Sequence, residues 1–417
     1  MFHTKAKILS VVVSSSLLLT ACNQDVSSSQ GEDFGDQGSV DTNTDFNQLA
    51  LITSLTDHVI TPTFESFKVE AQKQQALINA YCESESSFSD NNTDQTMVTQ
   101  AKNSAQAQWR STMNVWQQAE LMRLGPLLAD DSLLRNKIYS WPNVNTCGVD
   151  YDVMFFNEGT VNGQAYDIAL RIPSRKGLDA LEYLLFNDNL EHSCEASAAP
   201  AGWNNFTPAQ RKVARCSYAT EVAGDVLNNA DDLLNQWNNA DGYAAKLKQA
   251  GALNSIFATE HDAVNTLSDA LFYIDSISKD EKLAIPLGLL ANKCGSVACP
   301  EEVESALSKH SLTNIKYNLL AFQKLFTGSD TAQALGFTDY LIDVGSTSTV
   351  TEMQANITKA LAIIDQQTAS LADTLANKPE QAEKIHSNVK DITDQLKTDF
   401  ITSLALELPA TSAGDND

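Results

Sequence analysis

Asp179 and Glu182 stand three residues apart in the stretch Gly177-Leu178-Asp179-Ala180-Leu181-Glu182-Tyr183-Leu184-Leu185-Phe186. At that spacing two side chains share one face of a helix. The rest of the stretch is apolar on every side, so the helix is expected to be buried. Two carboxylates inside it must find cations, hydrogen-bond donors or a metal ion, because an unpaired buried charge is not sustainable. Other carboxylates with inward-facing settings are Glu120, which closes the stripe Trp109, Met113, Trp116, and Glu65, set between Phe64 and Phe67. Together Glu65, Glu120, Asp179 and Glu182 would form an oxygen-donor cluster of the kind built inside helical bundles. Farther along, Glu260 and His261 share a helix with Phe257, Val264, Leu267 and Leu271 and are the candidates in the second half.

Each of these has a plainer account. Asp179 lies in a first helical turn, where the helix dipole favours an acid without any function, and Arg175 or Lys176 would pair with it. Arg171 or Arg123 would neutralise Glu182. A lone histidine such as His261 is usually a satisfied surface or core residue. No Gly-rich phosphate loop, Gly-x-Ser-x-Gly elbow or His-Glu-x-x-His helix occurs, and the six histidines do not pair at metal-ligand spacing.

The elements that must hold these residues read as helix after helix. Expected helices run from 46 to 59, 61 to 82, 94 to 124, 177 to 186, 207 to 237, 255 to 275, 301 to 326, 350 to 376 and 379 to 404. Residues 84–93 read as a loop, and 130–171 as an ordered, loop-rich insertion with short strands. Prolines interrupt residues 209–378 only at Pro286 and Pro300, as an all-α chain requires. The expected architecture is all-α, two tandem helical bundles over 45–238 and 239–408, with the insertion in the first and a disordered tail over 409–417.

Residues 1–21 form a basic-then-apolar leader ending in Leu19-Thr20-Ala21-Cys22, which looks like a bacterial lipoprotein signal with lipid on Cys22. Asn23 after the cysteine favours the outer membrane. Residues 23–44 carry five acids and no Lys or Arg, a solvated tether spanning roughly 25 Å as a flexible coil. Net charge is −25, which disfavours nucleic acid and anionic membrane surfaces and suits cations. Beyond Cys22 six cysteines remain, an even number that reads as three disulfides in an exported chain. Sequence leaves fifteen pairings open; nearness suggests Cys294–Cys299 and Cys194–Cys216, which leaves Cys82–Cys147. A thiolate metal site lacks a Cys-x-x-Cys pair.

The 177–186 stretch resembles the imelysin family, exported bacterial proteins whose signature is Gly-x-His-x-x-Glu followed by Tyr-Leu-Leu-Phe. Trp116-x-x-x-Glu120 running into Gly125-Pro126, Tyr139-x-Trp141-Pro142 and Lys282-Leu-Ala-Ile-Pro286-Leu-Gly288 are similar to family motifs as well. The likeness spans roughly 45–405. It implies two helical bundles, export, an association with iron-regulated uptake, a peptidase label, and a metal at the His and Glu. Here Asp179 stands in the His position, and Glu182 matches. An Asp–Glu pair offers only oxygens, suiting a hard divalent cation or ferric iron, whereas zinc-peptidase chemistry needs nitrogen or thiolate ligands. The expectation is therefore a non-catalytic envelope lipoprotein that binds a metal or metal-loaded ligand alongside iron-uptake components. A metal-dependent peptidase and a ligand-free structural or docking lipoprotein are the alternatives.

Overall fold

A computed structural model describes residues 45–89, 94–329 and 334–412. The leader, Cys22, the tether and the last five residues lie outside them. The described chain is all-α apart from one two-stranded hairpin.

The chain begins with α1 (Gln48–Leu55), which passes through a π turn (Thr56–Ile60) into α2 (Thr61–Ser89) without a break. Pro62 has no amide to donate, and the widened turn before it absorbs the loss. α2 continues through the expected loop to Ser89, where Tyr81 and Glu85 are both buried and the tyrosine hydroxyl reaches the carboxylate at 3.3 Å. α3 (Gln95–Leu121) is capped by Asp94 and buries Trp109, Met113, Trp116 and Glu120 on one stripe, as their spacing predicts.

The region 130–171 is more helical than its composition suggests. It holds α4 (Ala129–Ile138, whose first turn winds left-handed at Asp130 to Ser132), α5 (Thr146–Glu158), and the hairpin β1 (Thr160–Val161) with β2 (Gln164–Ala165). α5 starts on weak helix formers, Thr146-Cys147-Gly148, but the Asn145 cap and the left-handed Gly159 delimit it. α6 (Gly177–Phe186) and α7 (Pro208–Asn238) follow, the latter opening on a capping box from Thr207 and Gln210.

Between the helices expected to end at 237 and to start at 255 lies α8 (Tyr243–Lys248), then come α9 (Glu260–Asp269), a π-helix (Ile274–Ala284) and the single turn α10 (Ile285–Leu287). The helix expected from 301 begins only at α11 (Ser311–Thr327). Residues 301–310 fold irregularly, with left-handed Ser305 and Lys309, and bury Glu304, Ser308 and His310. α12 (Phe337–Asp343), α13 (Thr347–Asp365), α14 (Leu371–Asn377), α15 (Pro379–Gln395) and α16 (Ile401–Leu404) complete the chain. The helix expected over 350–376 is thus two.

α2 packs on both α3 and α7, and α6 lies against α7 and α3. A second group forms from the π-helix, α11, α13 and α15, joined to the first mainly where α11 lies along α3. α1 crosses to the second group, packing on α8 and α9 and bonding Tyr340 through Gln48. Among the described residues no helix is long and apolar enough to cross a membrane.

Three disulfides form, but only Cys294–Cys299 follows nearness in sequence. The others are Cys82–Cys216, joining α2 to α7, and Cys147–Cys194, joining α5 to the loop after α6. Packing of α2 against α7 decides this pairing, since it brings residues 134 apart together. Peptide mapping without reduction should recover these three pairs. The Cys82→Ser/Cys216→Ser double variant should lose about 2–5 kcal/mol in urea unfolding, since its loop is the longest of the three.

Candidate functional site

The seam between the two helix groups is polar and buried. From the first group come Gln117 and Glu120 on α3, Arg135 on α4 with Tyr139 and Ser140 just beyond it, and Asp179 and Glu182 on α6. From the second come Lys282 on the π-helix, Glu304 and Ser308 in the irregular segment, and Asn318 on α11.

Lys282 is its hub. The ammonium donates to Gln117 Oε1 at 2.6 Å and Asn318 Oδ1 at 3.0 Å, stands 3.1 Å from Glu304 Oε1, and lies over the Trp141 and Tyr273 rings. Glu304 Oε1 also accepts from the Tyr139 hydroxyl at 2.7 Å and Gln117 Nε2 at 3.1 Å. Glu304 Oε2 is buried with no donor. Burial first, and then the charges of Glu304, Glu120 and Glu182, push the Tyr139 hydroxyl well above its ordinary pKa. Glu120 is paired with Arg135, whose Nε donates at 2.7 Å, and that carboxylate holds the guanidinium charged against the opposing effect of burial.

Asp179 and Glu182 are treated differently. Asp179 accepts from the Ser140 hydroxyl and from the Ala180 amide at 3.0 Å. Glu182 accepts from the Ser308 amide at 2.8 Å, a bond that crosses the seam. Neither forms an ion pair with the expected arginines or lysine. Arg171 and Arg175 both go to Asp152, Lys176 goes to Asp225, and Arg123 donates to Ser132. Desolvation is the largest influence on both acids, pushing Asp179 up to about 6 and Glu182 up to about 7; the charges of Glu304 and Asp179 add to the rise at Glu182. The cation whose field reaches Glu182 is Arg110, half-buried on α3.

The remaining candidates do not join this site. Glu65 is exposed on α2, turned away from Phe64 and Phe67, which are both buried. At about 3.6 residues per turn Glu65 lies well over a quarter of a turn around the helix from the middle of that pair, so it faces out rather than inward, correcting the expected placement. Glu260 is half-buried at the start of α9, and His261 Nε2 is hydrogen-bonded at 3.0 Å to the Ala405 carbonyl. Conversely, Glu304, Lys282 and Arg135 belong to the seam and had not been singled out as site residues. A continuous helix over 301–326 would have disguised Glu304 as one more surface acid; the nearby Pro300 was the only hint of irregularity.

The donor set limits the chemistry. Among the described residues no group of three or more His, Cys, Asp or Glu side chains could hold a metal ion. A fully protein-caged ion, or a zinc centre with nitrogen or sulfur ligands and an open position, does not fit here. What fits is a hard ion that carries most of its own oxygen ligands and adds one or two carboxylates.

Two outcomes follow for the metal-free protein. Lys282→Met strands Glu304 in the interior and should cost about 3–5 kcal/mol in urea unfolding, much of it recovered by adding Glu304→Gln. Asp179 and Glu182 bind protons more tightly folded than unfolded. The contribution of this pair to stability should therefore be fully present near pH 4, be lost as pH rises through about 6 and about 7, and then level off. Glu182→Gln should flatten that fall by on the order of 1–3 kcal/mol between pH 5 and pH 8; an unchanged slope refutes the assignment.

The family model described as imelysin matches residues 60–398. Structures similar to this chain include two determined by crystallography. One is described as an iron-regulated protein A precursor from Parabacteroides distasonis, at 18% identity and TM-score 0.62, covering 86% of this chain and 94% of that one. The other is an imelysin-like protein from Psychrobacter arcticum, at 15% identity and TM-score 0.64, covering 88% and 99%. Among curated proteins none matches. The extent of the family match, over the same helices that build the seam, makes this chain a member of the imelysin family.

Proposed function

We propose that this chain is a non-catalytic, lipid-anchored envelope protein of iron acquisition that binds a metal-loaded ligand at Asp179 and Glu182. The observation that carries the reading is the pair itself. Two acids are buried side by side on α6 with donors but no ion-paired cation, while Glu120 and Glu304 beside them are each neutralised. Arg135 and Arg110 act on the two acids only through space; burying acids with no cation in contact is costly, and an arriving hard cation would supply that contact.

Anchoring through Cys22 at the outer membrane, with residues 23–44 as tether, rests on the leader pattern. The iron link draws on the solved structure described as an iron-regulated protein A precursor, together with an oxygen-only pair suited to ferric iron. The peptidase alternative has no nitrogen or thiolate ligands at the signature to work with. The structural alternative is favoured by one observation, the neutralised Glu120–Arg135 and Glu304–Lys282 pairs, which by themselves fasten the two groups.

Metal analysis of the natively purified protein decides among these. The expected result is stoichiometric iron or another hard cation in the wild type, lost in Glu182→Ala while the fold persists by circular dichroism. A wild type free of metal after growth in iron-replete medium would leave the structural reading in its place. Cys22→Ser should release the protein from the membrane fraction.

A further inference from the structure

A groove of about 580 Å³ opens between α3, α11 and the turn joining α13 to α14, with Asn114, Lys309, Lys316, Tyr317 and Thr368 on its walls. That volume lies within the range of small-ligand pockets. The groove draws on both helix groups and adjoins the carboxylate pair along the chain. Lys309 directly follows Ser308, whose amide holds Glu182. Asn114 Oδ1 is hydrogen-bonded to His310 Nε2 at 2.8 Å, leaving the amide NH2 for another partner. One turn before Asn114, Arg110 lays its guanidinium over the Phe186 ring at 4.7 Å and donates to the Ser308 carbonyl at 3.2 Å.

Three cations thus border the stretch from Glu182 to the groove. Lys309 faces Asp373 at 3.5 Å and Lys316 faces Asp365 at 2.5 Å, and all four side chains are a third or more exposed. Exposed pairs of this kind are weak, so a ligand's carboxylates can take over the lysines at little cost. Because Asp365 and Asp373 also line the groove, a compact, highly charged anion such as phosphate is disfavoured. An extended anion with spaced charges and hydroxyls matches the alternation of lysine, acid, phenol, hydroxyl and amide. Its negative charge alone would be repelled by Asp179 and Glu182; a hard cation held by the anion reverses that.

We infer that this groove binds the organic part of the metal-loaded ligand, a small oxygen-rich chelator of the hydroxy-polycarboxylate class. Its carboxylates pair with Lys309 and Lys316, and its hydroxyl and carbonyl oxygens meet Asn114, Tyr317 and Thr368; Arg110, whose charge interacts with Glu182, lies one turn before Asn114 on α3. The inference deepens the metal-binding reading and rests on it for the link to a metal, but the groove is testable without one.

Isothermal titration calorimetry of the full-length, detergent-solubilised protein with citrate, ferric citrate and inorganic phosphate separates the two. Saturable citrate binding is expected. It should weaken at least tenfold in Lys309→Ala/Lys316→Ala and tighten in Asp365→Asn/Asp373→Asn, which removes the competing acids. No saturable citrate binding up to millimolar concentrations, undiminished binding in the lysine variant, or phosphate binding as tightly as citrate overturns the groove assignment. Ferric citrate binding no tighter than citrate would uphold the groove while removing the metal role of Glu182. Metal in the purified protein without citrate binding would do the reverse.

Discussion

Burying charge between two groups of helices imposes a condition that organises the centre of this protein: each charged side chain must meet a partner contributed by another element. Lys282 meets it most fully, gathering Gln117 from α3, Glu304 from the segment before α11, and Asn318 from α11 itself. The ammonium is out of reach of water, so these three groups must stay in place together. Removing any one leaves a desolvated group behind, which is why such networks join elements firmly. The long π-helix that carries Lys282 and the left-handed turns around Glu304 both serve this meeting.

Against that background the pair on α6 stands out by its incompleteness. Glu120 and Glu304 have cations, whereas Asp179 and Glu182 have a hydroxyl and backbone amides. Hydrogen bonds to amides soften the desolvation of a carboxylate without cancelling its charge. Both acids consequently hold protons toward neutrality. A histidine in place of Asp179 would offer a nitrogen ligand and less negative charge; the aspartate removes the former and concentrates the latter. Oxygen donors alone suit hard ions rather than borderline ones.

Helices carry most of the fold's legibility. The stripe Trp109, Met113, Trp116, Glu120 and the wholly apolar 177–186 helix are written in periodicity, and so is the depth at which Glu120, Asp179 and Glu182 lie. Capping signals placed α7 closely, and composition plus proline spacing specified an all-α chain. The errors cluster where tertiary contacts overrule local preference. Weak helix formers became α5 once Asn145 capped it, and a good helical pattern over 301–310 was broken so that Glu304 and Ser308 could turn into the seam.

Sequence by itself thus determined the long helices, the buried stripe on α3 and the need to accommodate Glu120, Asp179 and Glu182 inside, because these depend on spacing along one stretch of chain. Only the tertiary structure decided what those acids meet. Arg171, Arg175 and Lys176, the neighbours in sequence, turned to Asp152 and Asp225. Ser140, Ser308, Lys282 and Arg135 took up the seam, and Cys82 found Cys216 across 134 residues. Pairing of charges and thiols depends on distance in space, and packing of separate helices sets that distance without leaving a periodic mark in the chain.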